Sequence, residues 1–159
     1  MWQPRAAYDR RVRVLIVGGT GLLGQELLLR CIELGHQVVG TFARWPGEAW
    51  ATWRHLDLRS DQDVAEVLAD VRPEIIINAA YSGADWQVTA WGAARLASRS
   101  HAVGARLVQV SSDALFAGRP SPYVESDDPR PLPRTARRRQ PPKSPLRRST
   151  RPPSSPGRR

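Results

Sequence analysis

A glycine-rich segment lies between an apolar run and a run with helical periodicity. Residues 18–24 are Gly-Gly-Thr-Gly-Leu-Leu-Gly, which contains the spacing G-x-x-G-x-x-G. Residues 12–17 are typical of a buried strand, and residues 22–34 carry apolar side chains around most of a helix that Gly35 ends. This strand-turn-helix context favours a ligand-binding turn over a tight turn that binds nothing.

The glycines of this turn indicate which ligand it binds. Gly18 permits the tight turn, Gly21 lets a diphosphate approach the backbone, and Gly24 lets the helix pack closely on the strand. The free N–H groups and partial positive charge of a helix amino terminus favour an anion at this place. The sequence therefore predicts a dinucleotide site that also includes three neighbouring residues, Thr20, Leu22 and Leu23.

The end of the second predicted strand bears on the choice of cofactor. A carboxylate there hydrogen-bonds the ribose hydroxyls of NAD and repels the extra phosphate of NADP. Residues 40–44 are Gly-Thr-Phe-Ala-Arg, with no acid and one cation, Arg44. NADP is therefore favoured over NAD, with the alternative that Arg44 is only a solvated loop charge.

The elements around the turn alternate between β-branched runs and helical patterns. This alternation predicts an α/β fold, a Rossmann-type doubly wound parallel sheet of about five strands. Ser60 and Asp63 form a capping box for a helix that Pro73 ends, and a further helix is expected over 87–101. The tryptophans Trp45, Trp50 and Trp53 are expected to cover the sheet edge. The predicted strands are 12–17, 37–42, 54–58, 74–78 and 106–111.

Charge and composition divide the chain. Residues 129–159 hold 11 basic and no acidic side chains and nine of the 14 prolines, so we expect 131–159 to be a disordered Arg/Pro-rich tail. We expect 1–11 to be disordered as well and 12–130 to form the NAD(P)-binding domain.

Several other classes of site are not predicted. No apolar run approaches a membrane span, so no membrane partner and a cytoplasmic location are expected. Cys31, the single cysteine, excludes an internal disulfide and is expected to be a small buried hydrophobe. The three histidines lack metal-ligand spacing, so no metal site is predicted.

Three further segments make the chain resemble the extended short-chain dehydrogenase/reductases, and within them the dTDP-4-dehydrorhamnose reductase-like sugar-nucleotide reductases. They are His-Leu-Asp-Leu at 55–58, Asn-Ala-Ala-Tyr at 78–81, and Val-Ser-Ser-Asp-Ala-Leu-Phe-Ala-Gly at 110–118, followed by Pro-Tyr-Val-Glu at 122–125 and Asp-Pro-Arg-Pro-Leu at 128–132. The resemblance covers about 12–133. It departs at Val17, where Thr is usual, and at Thr89, where Asn is expected.

The resemblance implies roles for individual residues. Asp57 bonds the adenine amino group with Leu58 beside the ring, and Ala79, Ala80 and Tyr81 line the dinucleotide. Ser112 matches the catalytic Ser/Thr that hydrogen-bonds the sugar carbonyl, and the preceding Ser111 is expected to bind the cofactor. The implied activity is hydride transfer from NADPH to a 4-keto-6-deoxy sugar nucleotide, as in dTDP-rhamnose biosynthesis.

The catalytic pair of the family, Tyr-x-x-x-Lys, is absent from this sequence. The only lysine is Lys143, and Arg139 stands four positions before it. Where the Tyr and Lys helix is expected, about 135–139, the chain becomes rich in Arg, Pro and Ser. Residues 134–143 can be encoded CGT ACG GCG CGG CGA AGG CAG CCG CCG AAG, which in a shifted frame gives Tyr-Gly-Ala-Ala-Lys-Ala-Ala-Ala-Glu. The hypothesis is that residues from about 133 onward are out-of-frame translation and that the chain as written is an inactive, incomplete reductase.

Two other functions compete with the reductase. Loss of Tyr and Lys with the glycine turn retained fits a non-catalytic nucleotide-binding module. The basic tail fits binding to nucleic acid phosphates, but it has no aromatic residue to stack on bases, so nucleic-acid binding is ranked last of the three functions. The sequence does not predict an oligomeric state.

Overall fold

The computed structural model describes residues 10–83, 85–112, 116–128 and 130. The chain divides into two compact units, Met1–Val110 and Ser111–Arg159. The expectations of disorder for 1–9 and 131–159 fall outside the described residues.

The first unit contains a five-stranded sheet in which every neighbouring pair is parallel. Its spatial order is β3-β2-β1-β4-β5, so the winding direction reverses between β1 and β4. This confirms the predicted α/β parallel sheet. The strands are β1 Arg13–Val17, β2 Gln37–Phe42, β3 Thr52–His55, β4 Ile75–Asn78 and β5 Arg106–Gln109.

Three α-helices and one π-helical segment connect these strands: α1 Leu22–Glu33, α2 Asp61–Val71, the π-helical segment Gln87–Gly92 and α3 Ala93–Ala102. The single helix expected over 87–101 is thus divided into two kinds of helix. The break lies at Gly92, where an added Cβ would lie 2.8 Å from Leu58 Cβ.

β1 and β4 each begin one residue later than predicted. β3 and β5 differ more, because each of them ends where its partner strand ends. β3 lies at Thr52–His55 rather than 54–58, since His55 pairs with Phe42, the last residue of β2. β5 ends at Gln109 rather than 111, since its partner β4 ends at Asn78.

Side chains of β1 are buried on both faces of the sheet. Leu15 and Val17 join the larger core with residues of α2 and α3, whereas Val14 and Ile16 pack with Leu28 of α1. A strand covered by helices on both faces shows a continuous apolar run, as residues 14–17 do.

The residues expected to lie against the sheet behave differently from one another. Trp53 packs against the core cluster on the α1 face, but Trp45 is 81% exposed and Trp50 is also exposed. The prediction of a three-tryptophan cover is therefore wrong for Trp45 and Trp50, which lie in the connection between β2 and β3.

Cys31 packs against the core cluster on the α1 face and is partly buried, and this burial raises the pKa of its thiol.

The described part of the second unit contains a short arrangement around Tyr123. The Phe116 ring stacks on the Tyr123 ring at 4.2 Å between centroids, and the Arg119 guanidinium lies 4.2 Å from the Tyr123 centroid. Arg119 also pairs with Asp127. The hydrogen bond from the Val124 N–H, followed by that from Arg119, lowers the pKa of the Asp127 carboxyl.

Half of the predicted capping box of α2 is present. The Asp63 carboxylate accepts from Asp57 N rather than from Ser60 N, which donates to Asp57 O, so only Ser60 acts as a cap. Ser60 has an extended backbone, and its Oγ accepts a hydrogen bond from Asp63 N at 3.1 Å. The cap satisfies one of the N–H groups that lack a partner at a helix start.

Replacing this cap should destabilise the first unit. Ser60→Ala should lower the free energy of unfolding by about 1 kcal/mol, because Asp63 N loses its partner. Urea denaturation measures the change, with Ser98→Ala on the exposed side of α3 as the matched control. A Ser60→Ala midpoint equal to that of Ser98→Ala would contradict the capping role.

Candidate functional site

The glycine turn lies at the carboxyl-terminal edge of the sheet, where β1 ends between β2 and β4. Gly18 has φ +79°, a conformation that favours glycine, and its N–H donates to Thr41 Oγ1 at 3.2 Å. A Cβ at Gly18 would lie 2.8 Å from the N and Cα atoms of Ala80. The turn therefore touches the ends of both neighbouring strands, at the point where open α/β sheets bind ligands.

Gly24 and Gly21 have different surroundings. A Cβ at Gly24 would lie 2.2 Å from the carbonyl oxygen of Gly18 and 2.8 Å from Gly19 Cα, so α1 starts in direct contact with the turn. A Cβ at Gly21 would meet only the Gly18 oxygen, at 3.3 Å, and Gly21 itself is exposed. The space above Gly21 is thus open.

The start of α1 presents its backbone to solvent. Gly21 is its N-cap with no side-chain hydrogen bond, and Thr20 and Leu23 are exposed while Leu22 is 94% exposed. No acidic residue lies in the first turn. This helix start can therefore accept an anion, since its first N–H groups lack intrahelical partners and carry partial positive charge.

Buried polar side chains hold the edge in place. Asn78 Nδ2 donates to Gln109 Oε1 at 2.9 Å, and Asn78 Oδ1 accepts from Ala80 N at 3.1 Å. Ala79 N donates to Val17 O at 2.9 Å, which places Ala79 and Ala80 against the glycine turn. Sequence reasoning gave Asn78 no role, although a polar residue directly after three isoleucines was a usable signal.

Tyr81 and Thr89 lie just beyond this edge. Tyr81 is exposed, and the next residue, Ser82, is held by Thr89: its N–H donates to Thr89 Oγ1 at 3.1 Å, and the Thr89 hydroxyl donates to its carbonyl at 2.7 Å. Thr89 therefore fastens the segment after β4 to the π-helical segment.

The connection that carries Arg44 is anchored by a tryptophan. Cβ atoms built at Gly40 and Gly47 would lie 2.6 Å and 2.2 Å from the Trp53 ring, so the indole fits only because both residues are glycine. Trp53 Nε1 also donates to Glu48 O at 2.8 Å. Arg44 itself is exposed, and the described structure gives it no ion pair.

The Asp57 side chain is paired with an arginine, whereas the Leu58 side chain is buried in the core. The Asp57 carboxylate is bound by Arg59, and this hydrogen bond is the main reason that the pKa of Asp57 is lowered. The Leu58 side chain is 4% exposed in the core with Val64 and Leu96, which leaves little of it for a ligand.

Ser111 and Ser112 belong to the second unit, and both are exposed. The structure therefore gathers the predicted residues Gly18, Gly21, Gly24, Ala79 and Ala80 at one edge of the first unit, while the two serines are described separately.

Two other kinds of feature do not occur in the described residues. No helix there is long and apolar enough to cross a membrane, and no group of three or more His, Cys, Asp or Glu could hold a metal ion.

Comparison with known proteins gives one family. A model described as the RmlD substrate binding domain matches residues 12–139. Methionine adenosyltransferase 2 subunit beta of Rattus norvegicus is 31% identical over 130 residues, covering 76% of this chain and 38% of that protein. The dTDP-4-dehydrorhamnose reductase of Burkholderia thailandensis is 32% identical over 132 residues, covering 76% and 41%. The chain thus spans about two fifths of the length of these curated relatives.

Solved structures agree on the fold. A hypothetical dTDP-4-dehydrorhamnose reductase from Sulfolobus tokodaii matches with a TM-score of 0.66 and 26% identity over 75% of this chain and 46% of that one. UDP-glucose 4-epimerase of Thermus thermophilus, in complex with NAD, matches with a TM-score of 0.67 and 22% identity over 75% and 44%. The latter similarity shows the fold alone.

The two glycines should differ in their effect on stability. Gly24→Ala should lower the free energy of unfolding by about 2 kcal/mol, because its Cβ meets backbone atoms that have no room to move. Gly21→Ala should cost under about 1 kcal/mol, because that Cβ meets one atom at near-contact distance. Urea denaturation measures the free energy of unfolding of both variants. Equal decreases in the two variants would contradict the geometry of the turn.

Proposed function

The chain belongs to the RmlD substrate binding domain family, and we propose that its first unit binds a nicotinamide dinucleotide as the cofactor-binding portion of a sugar-nucleotide reductase. The observation that carries the proposal is the open space above Gly21, between a Gly18 with positive φ and a Gly24 packed on the turn. A dinucleotide needs close backbone approach at this point, and the turn provides it.

Each part of the cofactor has residues that fit it. The diphosphate would lie over Gly21 and the N–H groups of Leu22 and Leu23, beside Thr20. The adenine amino group would reach Asp57. The dinucleotide would then run along Ala79, Ala80 and Tyr81.

NADP is the proposed form of the cofactor, with NAD as the alternative. The segment after β2 has no acid at 40–44 and carries the exposed Arg44, whose guanidinium can bind the 2′-phosphate. Trp53 supports this proposal, because it fixes the connection from which Arg44 extends.

The proposed reaction of the family is reduction of a 4-keto-6-deoxy sugar nucleotide. The bound cofactor would supply the hydride that turns the C4 carbonyl into an alcohol. Ser112 would donate a hydrogen bond to that carbonyl oxygen, and a Tyr with a nearby Lys would supply the proton. The printed sequence contains Ser112 but not the Tyr-x-x-x-Lys pair, so we propose that the chain as written binds cofactor without turnover.

The missing pair is best explained by a shifted reading frame. The family match ends at residue 139, within the segment where Arg, Pro and Ser replace the expected helix. One codon choice for 134–143 encodes Tyr-Gly-Ala-Ala-Lys in another frame, and the ratio of 23 Arg to one Lys is typical of a GC-rich gene. We therefore propose that residues from about 133 onward are out-of-frame translation.

A non-catalytic role is the second candidate. Several relatives at 31% identity are named as subunit beta of methionine adenosyltransferase 2. A binding role within a complex would need no Tyr-x-x-x-Lys pair, and it would keep the glycine turn. The candidates differ in whether the gene encodes the pair in a shifted frame.

Cofactor binding should be measurable without turnover. We expect the purified chain to bind NADPH saturably and more tightly than NADH, and to show no NADPH oxidation with a 4-keto-6-deoxy sugar nucleotide. Gly21→Ala should weaken binding at least about tenfold, because its methyl group fills the space over the turn. Calorimetric titration measures this, with Ser98→Ala as control. Clear turnover would disprove the inactive form, and absent binding would disprove the dinucleotide site.

The gene itself tests the reading frame. Nucleotide sequencing from about codon 128 to well beyond the stop codon should show a shifted frame that encodes Tyr-Gly-Ala-Ala-Lys and continues into further protein. A gene with no such frame would rule out the shifted-frame proposal and favour the non-catalytic binding role.

A further inference from the structure

The Asp57 carboxylate, proposed to bind the adenine amino group, already accepts hydrogen bonds from Arg59 on both of its oxygens. Asp57 Oδ1 accepts from the backbone N and the Nε of Arg59, both at 2.9 Å. Asp57 Oδ2 accepts from Nε at 3.1 Å and from Nη2 at 2.9 Å. These four contacts come from three N–H groups, because Nε carries a single hydrogen that the two oxygens share. An incoming amino group therefore competes with the Arg59 side chain for the Asp57 oxygens.

A second carboxylate lies beside the same guanidinium. Arg59 Nη1 is 3.8 Å from Asp85 Oδ2, which is beyond a hydrogen bond but within ion-pair distance. Asp85 is held in place by its other oxygen, which accepts from Gln87 N at 2.8 Å at the start of the π-helical segment. A short movement of the Arg59 side chain would therefore exchange one carboxylate for the other.

Neighbouring side chains keep Asp57 in place during such an exchange. Asp57 N donates to Asp63 Oδ2 at 3.3 Å, and Asp63 lies 3.6 Å from His55 Nδ1. These contacts hold the backbone at Asp57 without using its carboxylate. Only the Arg59 side chain has to move, and it is more than half exposed.

We propose that Arg59 is a positioning residue for adenine recognition: it occupies Asp57 in the free protein and transfers to Asp85 when the exocyclic amino group of a ligand binds Asp57. The inference rests on the proposed dinucleotide site. In this proposal the site prefers an amino group to a carbonyl because of an exchange among three side chains, Arg59, Asp57 and Asp85.

The exchange predicts whether each substitution strengthens or weakens ligand binding. Removing Arg59 frees the Asp57 carboxylate, so a ligand with an amino group should bind more tightly. Removing the charge of Asp85 takes away the second position of Arg59, so the same ligand should bind more weakly. A ligand with a carbonyl oxygen in place of the amino group cannot donate to Asp57, so its affinity should change little in either variant.

The first arm of the test compares NADPH with its hypoxanthine analogue by calorimetric titration. Arg59→Ala should raise the preference for NADPH about fivefold, and Asp85→Asn should lower it by a similar factor, which is the expected size for one charge-assisted hydrogen bond. When Arg59→Ala is already present, adding Asp85→Asn should not change the preference further. The preference of Arg59→Lys should lie between those of the parent and Arg59→Ala. Arg30→Ala, which breaks exposed pairs on α1, should leave the preference unchanged.

Other outcomes of this arm overturn the proposal. An unchanged preference in Arg59→Ala would show that the side chain does not compete for Asp57. Weaker binding of both ligands in that variant would show that Arg59 instead contacts the base directly.

The second arm needs no ligand and separates this inference from the dinucleotide site. An NMR titration of the Asp57 carboxyl group should show that Arg59→Ala raises its pKa toward the ordinary value and that Asp85→Asn does not. If the parent chain binds no dinucleotide but this pattern is found, the proposed function fails together with the ligand-driven exchange, while the free-state pairing stands. If dinucleotide binds but Asp57 titrates alike in parent and Arg59→Ala, the proposed function survives and this inference fails.

Discussion

The contact between the carbonyl of Gly18 and Gly24 is the constraint on which the candidate site depends. A Cβ at Gly24 would lie within 2.2 Å of that oxygen, so α1 can begin where it does only because the residue has no side chain. The contact fixes the direction of the helix start relative to β1. It therefore sets where the first N–H groups of α1 point and leaves the space over Gly21 open to an anion.

Buried polar groups extend this constraint to the neighbouring strands. Thr41 at the end of β2 accepts from Gly18 N, and Asn78 at the end of β4 binds both Gln109 and Ala80. Both side chains are almost completely buried, where an unsatisfied polar atom would cost about 1 to 3 kcal/mol. Moving either strand end would break these bonds, so the edge of the sheet is held as one unit around the turn.

Two carboxylates, Asp57 and Asp61, are held in ion pairs. Asp57 binds Arg59, Asp61 pairs with Arg99, and hydrogen bonds from Arg59 and Arg99 lower the pKa of the two carboxyls. These carboxylates therefore remain ionised well below neutral pH. The proposed recognition of a base at Asp57 would then be a competition between donors, with no change of protonation.

The sequence alone determined the fold class, the glycine turn and the α2 cap, because each follows from local properties. A missing Cβ, an apolar run that suits a strand buried on both faces, and a serine three residues before an acid act over a few positions of chain. Strand ends, the division of 87–101 into two kinds of helix, and the exposure of Trp45 were decided only by the tertiary structure. The same holds for the pairing of Asp57 with Arg59 beside Asp85, and for the packing of the Trp53 ring against Gly40 and Gly47. These features depend on which distant segments meet, and packing and hydrogen-bond partners between distant segments leave no periodic trace in the sequence.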